Sequence, residues 1–411
     1  MESSNPHTRK PMPRDPLSRW VFLLLYLLLA VGLLAGALVP ITLSGCTAPP
    51  RGIPLAYVAV GGGNHVRVID LDAGTTLRRL YTGAGPWRLV PSPDGRRLWI
   101  QHWYAGLTTV LDLEEHEVVA TLPLRGPGTF SAEGEAFLSF HWPDGKLHTV
   151  DPETFEQVEE KPTEVRQVYD LIPARNGEAL YLAQYDPMGR GRTPRYGYVV
   201  VYPYKKEAEK AVPTSLSTGV SPVGLAAVPG QPFFVSIDSG TNGLSLINEQ
   251  HDGRALAVCP APRDVAFFTR DSGEVTRMAV ICWRGDGDPE SDVVVFDTDF
   301  TARPWPELRK AAETELPAGL SAVAFAPGGE RLWVTDRTGG RLIELVVPSG
   351  AGDAPGELEI GREIETGAVP LDLVIRTVTP EERDRIAAGK TRGRRLAERT
   401  LARLIDAGEP F

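Results

Sequence analysis

The stretch from Ala56 to Ile100, AYVAVGGGNHVRVIDLDAGTTLRRLYTGAGPWRLVPSPDGRRLWI, decides the fold. Short apolar runs alternate with polar residues along it and are cut apart by Gly, Asp and Pro turns, the period and punctuation of β-strands. Its last turn then recurs down the chain. Ser92, Pro93, Asp94 and Gly95 precede Leu98, Trp99 and Ile100; Ala132, Glu133 and Gly134 precede Phe137 and Leu138; Arg175, Asn176 and Gly177 precede Leu180, Tyr181 and Leu182. Further copies centre on Gly230, Gly273 and Gly329, and successive turn glycines lie 39, 43, 53, 43 and 56 residues apart, within the range of a four-stranded blade.

Each turn follows a short apolar strand, as in Pro86 to Val90, Pro222 to Ala226, Pro262 to Phe267 and Leu320 to Phe325. A seventh such strand, Pro370 to Ile375, has no partners after it, whereas the N-terminal side begins with three strands, 56–60, 65–71 and 76–81, that lack a first one. The two fragments complete one blade. The sequence therefore predicts an all-β fold, a seven-bladed β-propeller over 55–379 closed by pairing of the N- and C-terminal strands, which leaves no open sheet edge. The 42 Gly and 36 Pro in 411 residues suit a chain of turns and exclude a helix bundle. A net charge of -10 provides no general attraction to nucleic acid, which is not expected as a partner.

The same residues resemble the repeat of the YVTN-type seven-bladed β-propeller family, in which a Tyr-Val strand, a Val-Ile-Asp strand, a Gly-x-x-Pro turn and Ser-Pro-Asp-Gly recur. The resemblance covers nearly all of 55–378 and is strongest around Ser92 to Ile100 and Ser321 to Asp336. It implies the fold. Relatives include surface proteins, lactonases and accessory propellers of redox enzymes, and fold analogy does not choose among them.

Upstream of the strands, an uncharged apolar run from Val21 to Val39 follows a polar segment carrying Arg9, Lys10, Arg14 and Arg19. As a helix it would nearly cross a hydrocarbon core of roughly 30 Å. Leu43, Ser44, Gly45 and Cys46 resemble the bacterial lipobox, where a peptidase cuts before a lipid-bearing cysteine. Residues 1–45 are expected to be a lipoprotein signal peptide, with Cys46 lipidated; an uncleaved membrane anchor is the alternative. In both cases the cations stay inside and the rest of the chain goes outside, so the expected location is the bacterial cell envelope, extracytoplasmic and tethered to membrane lipid. Residues 46–54, with Pro49, Pro50 and Pro54, read as a stiff linker. Residues 380–411 read as a basic amphipathic C-terminal helix: Pro380, Glu381, Glu382 and Asp384 start it, and Ala397, Leu401, Leu404 and Ile405 form a stripe opposite Arg392, Arg394, Arg395, Arg399 and Arg403. Docking on its own propeller is the favoured use of that stripe, with an anionic membrane or a partner as alternatives.

In a propeller, the turns from second to third strand and the links from fourth strand to the next blade gather at one end of the central channel, the default ligand site. Seven residues beyond their turn glycines stand His102 and His141, each followed by a tryptophan, Trp103 and Trp142. Equivalent places hold Gln184 with Tyr185, Asp238, Cys282 with Trp283, and Asp336. The first strands should turn Trp87, Arg88, Tyr169, Asp170, Arg263, Asp264 and Asp372 toward the channel mouth. The two imidazoles suit a metal, a haem edge or acid–base work; the alternatives are capping of strand ends and an organic ligand stacked on the rings. The Asp residues are expected to accept backbone N–H groups from neighbouring blades with Arg neutralising them, whereas unpaired Arg88 and Arg263 would hold a carboxylate or phosphate.

No cofactor is required by any motif. The sequence has no Cys-x-x-Cys-His for covalent haem, no Gly-x-Ser-x-Gly elbow and no phosphate loop. The acidic loop 284–292, RGDGDPESD, could hold calcium, and a metal at His102 and His141 is the other open possibility. Cys259 and Cys282 should emerge on one face and are either a disulfide or a buried thiol pair. The expected function is a binding or scaffolding module that contacts another protein or a small organic ligand through its channel mouth. The alternative is an enzyme, a lactonase-like hydrolase or an accessory propeller subunit of a periplasmic redox enzyme, although no matched catalytic residue carries the lactonase reading.

Overall fold

The six turn glycines Gly95, Gly134, Gly177, Gly230, Gly273 and Gly329 all adopt positive φ, between 67° and 83°, a region glycine enters without steric cost. Each closes the hairpin between the first and second strands of a blade. The structure, a computed structural model, describes residues 52–389 apart from 164, 166, 185–197, 206–212, 284–289, 303, 318 and 349–353. Seven sheets form a seven-bladed β-propeller. Blade one runs from its inner strand Pro370–Val378 through Ile53–Val60 and His65–Asp70 to Thr75–Tyr81, so the last strand of the chain pairs with the first. Blades two to seven follow in chain order from the inner strands Pro86–Pro91, Gly128–Phe130, Val168–Pro173, Pro222–Ala227, Pro262–Thr269 and Leu320–Phe325.

The first strand starts at Ile53, inside the expected linker 46–54. Pro54 pairs with Thr377 and accepts from Leu71 N at 3.0 Å. At a strand's start only its carbonyl is needed, so the missing N–H costs little. Blade six gains a short parallel strand, Gly356–Glu357, on its outer strand Glu307–Leu316.

The core lies between blades because strand side chains alternate between faces. Leu98 and Ile100 pack with Leu55 and Tyr57 toward blade one, whereas Trp99 stacks on Phe137 of blade three, ring centroids 4.0 Å apart. The turns between third and fourth strands add a second contact. His116, Phe155 and His251 take positive φ there and set their rings against Tyr57, Trp99 and Tyr181 of the preceding blade, at 5.9, 6.2 and 5.8 Å. His116 Nε2 and the Tyr57 hydroxyl are hydrogen-bonded at 2.7 Å. Burial pushes Tyr57 up to about 12 and His116 down to about 4, so both are neutral near pH 7.

The described part of the C-terminal segment is the helix Pro380–Ala388. The Thr379 side chain accepts from Glu382 N, proline occupies its first turn, and Glu381 and Glu382 face the positive end of the helix dipole. It docks on blade one through Ile386, 1% exposed among Leu55, Tyr57 and Leu80, and through ion pairs Arg383–Asp70 and Arg376–Glu382. The Ala397 to Ile405 stripe and its arginines lie outside the described residues, as do residues 1–51 with the apolar run and Cys46. Among the described residues no helix is long and apolar enough to cross a membrane.

Candidate ligand site at the channel mouth

Six of the seven inner strands carry a β-bulge near their start, with register shifts at Pro86/Arg88, Val168/Asp170, Pro222/Gly224, Pro262/Asp264, Leu320/Val323 and Pro370/Asp372. A bulge re-aims the residue after it. Arg88 of blade two consequently forms an ion pair with Asp170 of blade four and feels Asp372 of blade one and Asp264 of blade six, a set that only the central channel can bring together. Arg88 retains 24% of its side-chain surface and Asp170 6%.

Each carboxylate is tied to backbone. Asp372 accepts from Leu89 N at 2.6 Å and Leu373 N at 2.7 Å, Asp170 from Leu225 N at 2.9 Å and Leu171 N at 2.6 Å, and Asp264 from Val323 N and Val265 N at 2.9 Å. One bond of each pair crosses to another blade. Burial, reinforced by Asp372, pushes Asp264 up to about 7, and burial pushes Asp372 up to about 6. Burial alone would lower Arg88, but the Asp170 carboxylate beside it holds it above its ordinary value. Arg263 is also engaged, its Nε donating to Trp283 O at 3.0 Å. Neither arginine is the unpaired anion clamp that the sequence left open.

Above this ring the indoles of Trp87, Trp103 and Trp142 meet. Trp87 stacks on Trp142 at 6.0 Å, and Trp103 meets Trp87 edge-on at 5.8 Å and Trp142 at 4.7 Å. Trp142 donates Nε1–H to Val168 O of blade four at 2.6 Å, which is a capping contact. Trp103 is 43% exposed and Tyr104 76%. The Tyr104 ring lies over Gly85, where a Cβ would come within 2.3 Å of it, so the loop tip rests on bare backbone. Toward blades six and seven, Arg263 and Arg337 place guanidinium carbons 5.7 and 4.8 Å from the ring of the buried Trp283.

The strand-end set divides. His102 is 2% exposed, with neither ring nitrogen hydrogen-bonded among the described residues, and packs on Gly83 toward blade one. Burial drives its pKa down to about 3. His141 instead faces blade two beside Asp144 and His148. The same strand position in adjacent blades points both rings toward the preceding blade, so a whole sheet stands between them, and sheets pack roughly 10 Å apart. This placement does not favour the metal at His102 and His141 that the sequence left as an open possibility. Asp238 and Asp336 are consumed in their own turns: Asp238 accepts from Ser236, Ser245 and Gly219 N, Asp336 from Thr338, Gly339 N and Arg341. Gln184 closes the second strand of blade four opposite Val168. Tyr185 and residues 284–289 of the calcium candidate lie outside the described residues. Cys259 and Cys282 are joined by a disulfide, Cα atoms 5.9 Å apart.

Sequence reasoning passed over Tyr104, whose signal was its place directly after His102-Trp103, and His148, which no repeat position marked. At the opposite end of the propeller, a cleft of about 270 Å³ between the first hairpins of blades four and five is lined by Pro229, Phe233, Phe234 and the Arg175 and Glu249 side chains. It has few convergent polar groups, and the mouth remains the better ligand site on chemistry.

No family model and no curated protein matches the sequence. Solved structures do resemble it. The periplasmic gluconolactonase of Pseudomonas aeruginosa is 17% identical, with a TM-score of 0.59 over 80% of this chain and 99% of that one. A protein of unknown function from Desulfotomaculum acetoxidans is 11% identical, with a TM-score of 0.59 over 79% and 99%. The hydrazine synthase of Kuenenia stuttgartiensis is 16% identical, with a TM-score of 0.52 over 70% and 88%. Likeness at this identity shows a shared propeller fold and nothing about chemistry.

Proposed function

We propose that this protein is an extracytoplasmic, membrane-tethered β-propeller that acts as a binding module, taking a ligand with a flat apolar face on the indole cluster at its channel mouth. The observation that carries the reading is the convergence of Trp87, Trp103 and Trp142 with Trp103 and Tyr104 open to solvent. Exposed aromatic rings gathered at the channel mouth favour a sugar ring or an aromatic group, whose face stacks on them. The envelope location rests on the apolar run and lipobox-like residues, on the Cys259–Cys282 disulfide, which belongs to oxidising compartments, and on fold likeness to a periplasmic protein. A hydrolase of the lactonase kind is the weaker reading. The perturbed carboxylates Asp264 and Asp372 have the raised pKa an acid–base pair needs, but both oxygens of each already accept backbone N–H groups.

The test is a thermal-shift screen of the full chain in detergent against mono- and oligosaccharides and aromatic acids, repeated on Trp103→Ala. The expected result is a stabilising compound whose shift disappears in Trp103→Ala, while the unliganded melting temperature moves by less than about 2 °C, as fits a half-exposed side chain. Shifts that persist in the variant, or a large loss of unliganded stability, would refute the proposal.

A further inference from the structure

The hairpin joining the second and third strands of blade three carries a group of side chains that no blade tie uses. His141 ends the strand Phe137–His141, Asp144 lies in the turn, and His148 sits within Lys146–Val150. The register pairs Lys146 with His141 and His148 with Ser139, so the two histidines are diagonal neighbours on one face, with ring centroids 5.0 Å apart. One donor atom from each of His141, Asp144 and His148 lies within 4.8 Å of the others. His148 is 93% buried by its 7% exposure, and its Nε2 has no hydrogen-bond partner. Its Nδ1 is held by Gln157 Oε1 at 2.9 Å. That contact fixes the proton on Nδ1 and leaves the Nε2 lone pair bare, the arrangement in which an outer amide orients a ligating imidazole.

We propose that His141, Asp144 and His148 bind one divalent first-row transition ion, with Gln157 as the residue that positions His148. Two neutral imidazoles and a carboxylate form a borderline donor set suited to zinc, copper or nickel and poorly suited to calcium or magnesium, which want oxygen alone. Bonds of about 2.0–2.2 Å place tetrahedral donors roughly 3.3 Å apart, so the group must close by about 1–1.5 Å. The half-exposed Asp144 and the rim position of His141 allow that movement and admit the ion from solvent. The present His141–Asp144 contact, 2.9 Å, is replaced by the two metal bonds. Lys146 opposes binding, because its ammonium lies 3.7 Å from Asp144 Oδ2 while also paired with Glu160. The turn between the ligands begins with Trp142, so the ion would staple the loop that carries one indole of the mouth. The site stands or falls independently of whether the mouth takes a ligand.

The experiment uses the full chain, stripped of metal by chelator, with Zn²⁺ measured by competition against a chromophoric chelator and Co²⁺ by its visible absorption. One equivalent should bind, with Co²⁺ giving the intense bands of a low-symmetry site. His148→Ala and Asp144→Asn should each weaken Zn²⁺ by at least about tenfold, Gln157→Leu by about 10–100-fold, and Lys146→Met should tighten it severalfold, all with unchanged circular dichroism. Absence of saturable binding to the folded wild type overturns the proposal. So does one equivalent of binding that His148→Ala and Asp144→Asn leave unchanged, which would assign the ion to other histidines.

Discussion

Replacing Asp264 and Asp372 together by Asn offers a direct reading of the channel ring through pH. Their folded-state pKa values, about 7 and about 6, lie above the unfolded carboxylate value of about 3.9. A group raised on folding adds stability that is full below the unfolded pKa and is lost as pH climbs through the folded one. Between pH 5 and pH 8 the two carboxyls therefore lose their stabilising excess of protons. At about 1.4 kcal/mol per unit the loss has a ceiling of about 4 kcal/mol, and because Arg88 in the ring keeps 24% of its side-chain surface and part of the Asp264 rise comes from Asp372, which the double variant also removes, about 2 kcal/mol is the working figure. Whole-protein curves hide it, since His102 and His116 push stability the opposite way below pH 6.5. The difference between variant and wild type exposes it: each Asn forfeits an acceptor for a backbone N–H, but that cost does not depend on pH and cancels from the slope. Urea unfolding of both proteins at pH 5, 6, 7 and 8, with the disulfide intact, should show the variant gaining about 2 kcal/mol on the wild type across the series. Parallel profiles, agreeing within about 0.5 kcal/mol after the constant offset, would refute the assignment of a crowded carboxylate ring around Arg88.

His102→Leu should behave in the reverse sense. Burial holds the imidazole neutral down to about pH 3, so as pH falls below 6.5 wild type loses more stability than the variant, which retains only the His116 share of that loss, and acid unfolding midpoints should separate by about one pH unit or more. Reducing the Cys259–Cys282 bridge, which spans 23 residues, should lower unfolding free energy by about 3 kcal/mol on the loop-entropy scale, read by denaturation with and without reductant; a change under about 1 kcal/mol would mean that blades five and six hold without it.

The blade count, the closure by Pro370–Val378 and the turn positions were legible in the sequence because six near-copies of one hairpin restate the same period and a seventh first strand stands alone at the end. A single glycine at positive φ, such as Gly95, fixes register for a whole blade. Side-chain direction was less legible. His102 and His141 hold equivalent positions by count, and the repeat made them look like partners, yet equivalence in a propeller means facing the same way, each behind its own sheet. His148 escaped notice for the opposite reason: it repeats nowhere, and only the pairing of Lys146 with His141 brings it diagonal to that ring. The start at Ile53 was missed because Pro54 reads as a linker residue until its carbonyl finds Leu71 N.

The same logic sorts the mouth residues by what they are already doing. Every joint between blades has a tie of its own: Asp372 to Leu89 N, Gln101 to Gly128 O, Trp142 to Val168 O, Asp170 to Leu225 N, the disulfide from Cys259 to Cys282, Asp264 to Val323 N, and Ser321 to Pro370 O. A residue that closes the ring cannot be spared for turnover without loosening it, so Asp170, Asp264 and Asp372 serve the fold first. Subtracting those ties leaves Trp87, Trp103 and Tyr104 on one blade, resting against Trp142. They are the rings whose removal costs the propeller least, and on that ground they are where binding is to be sought.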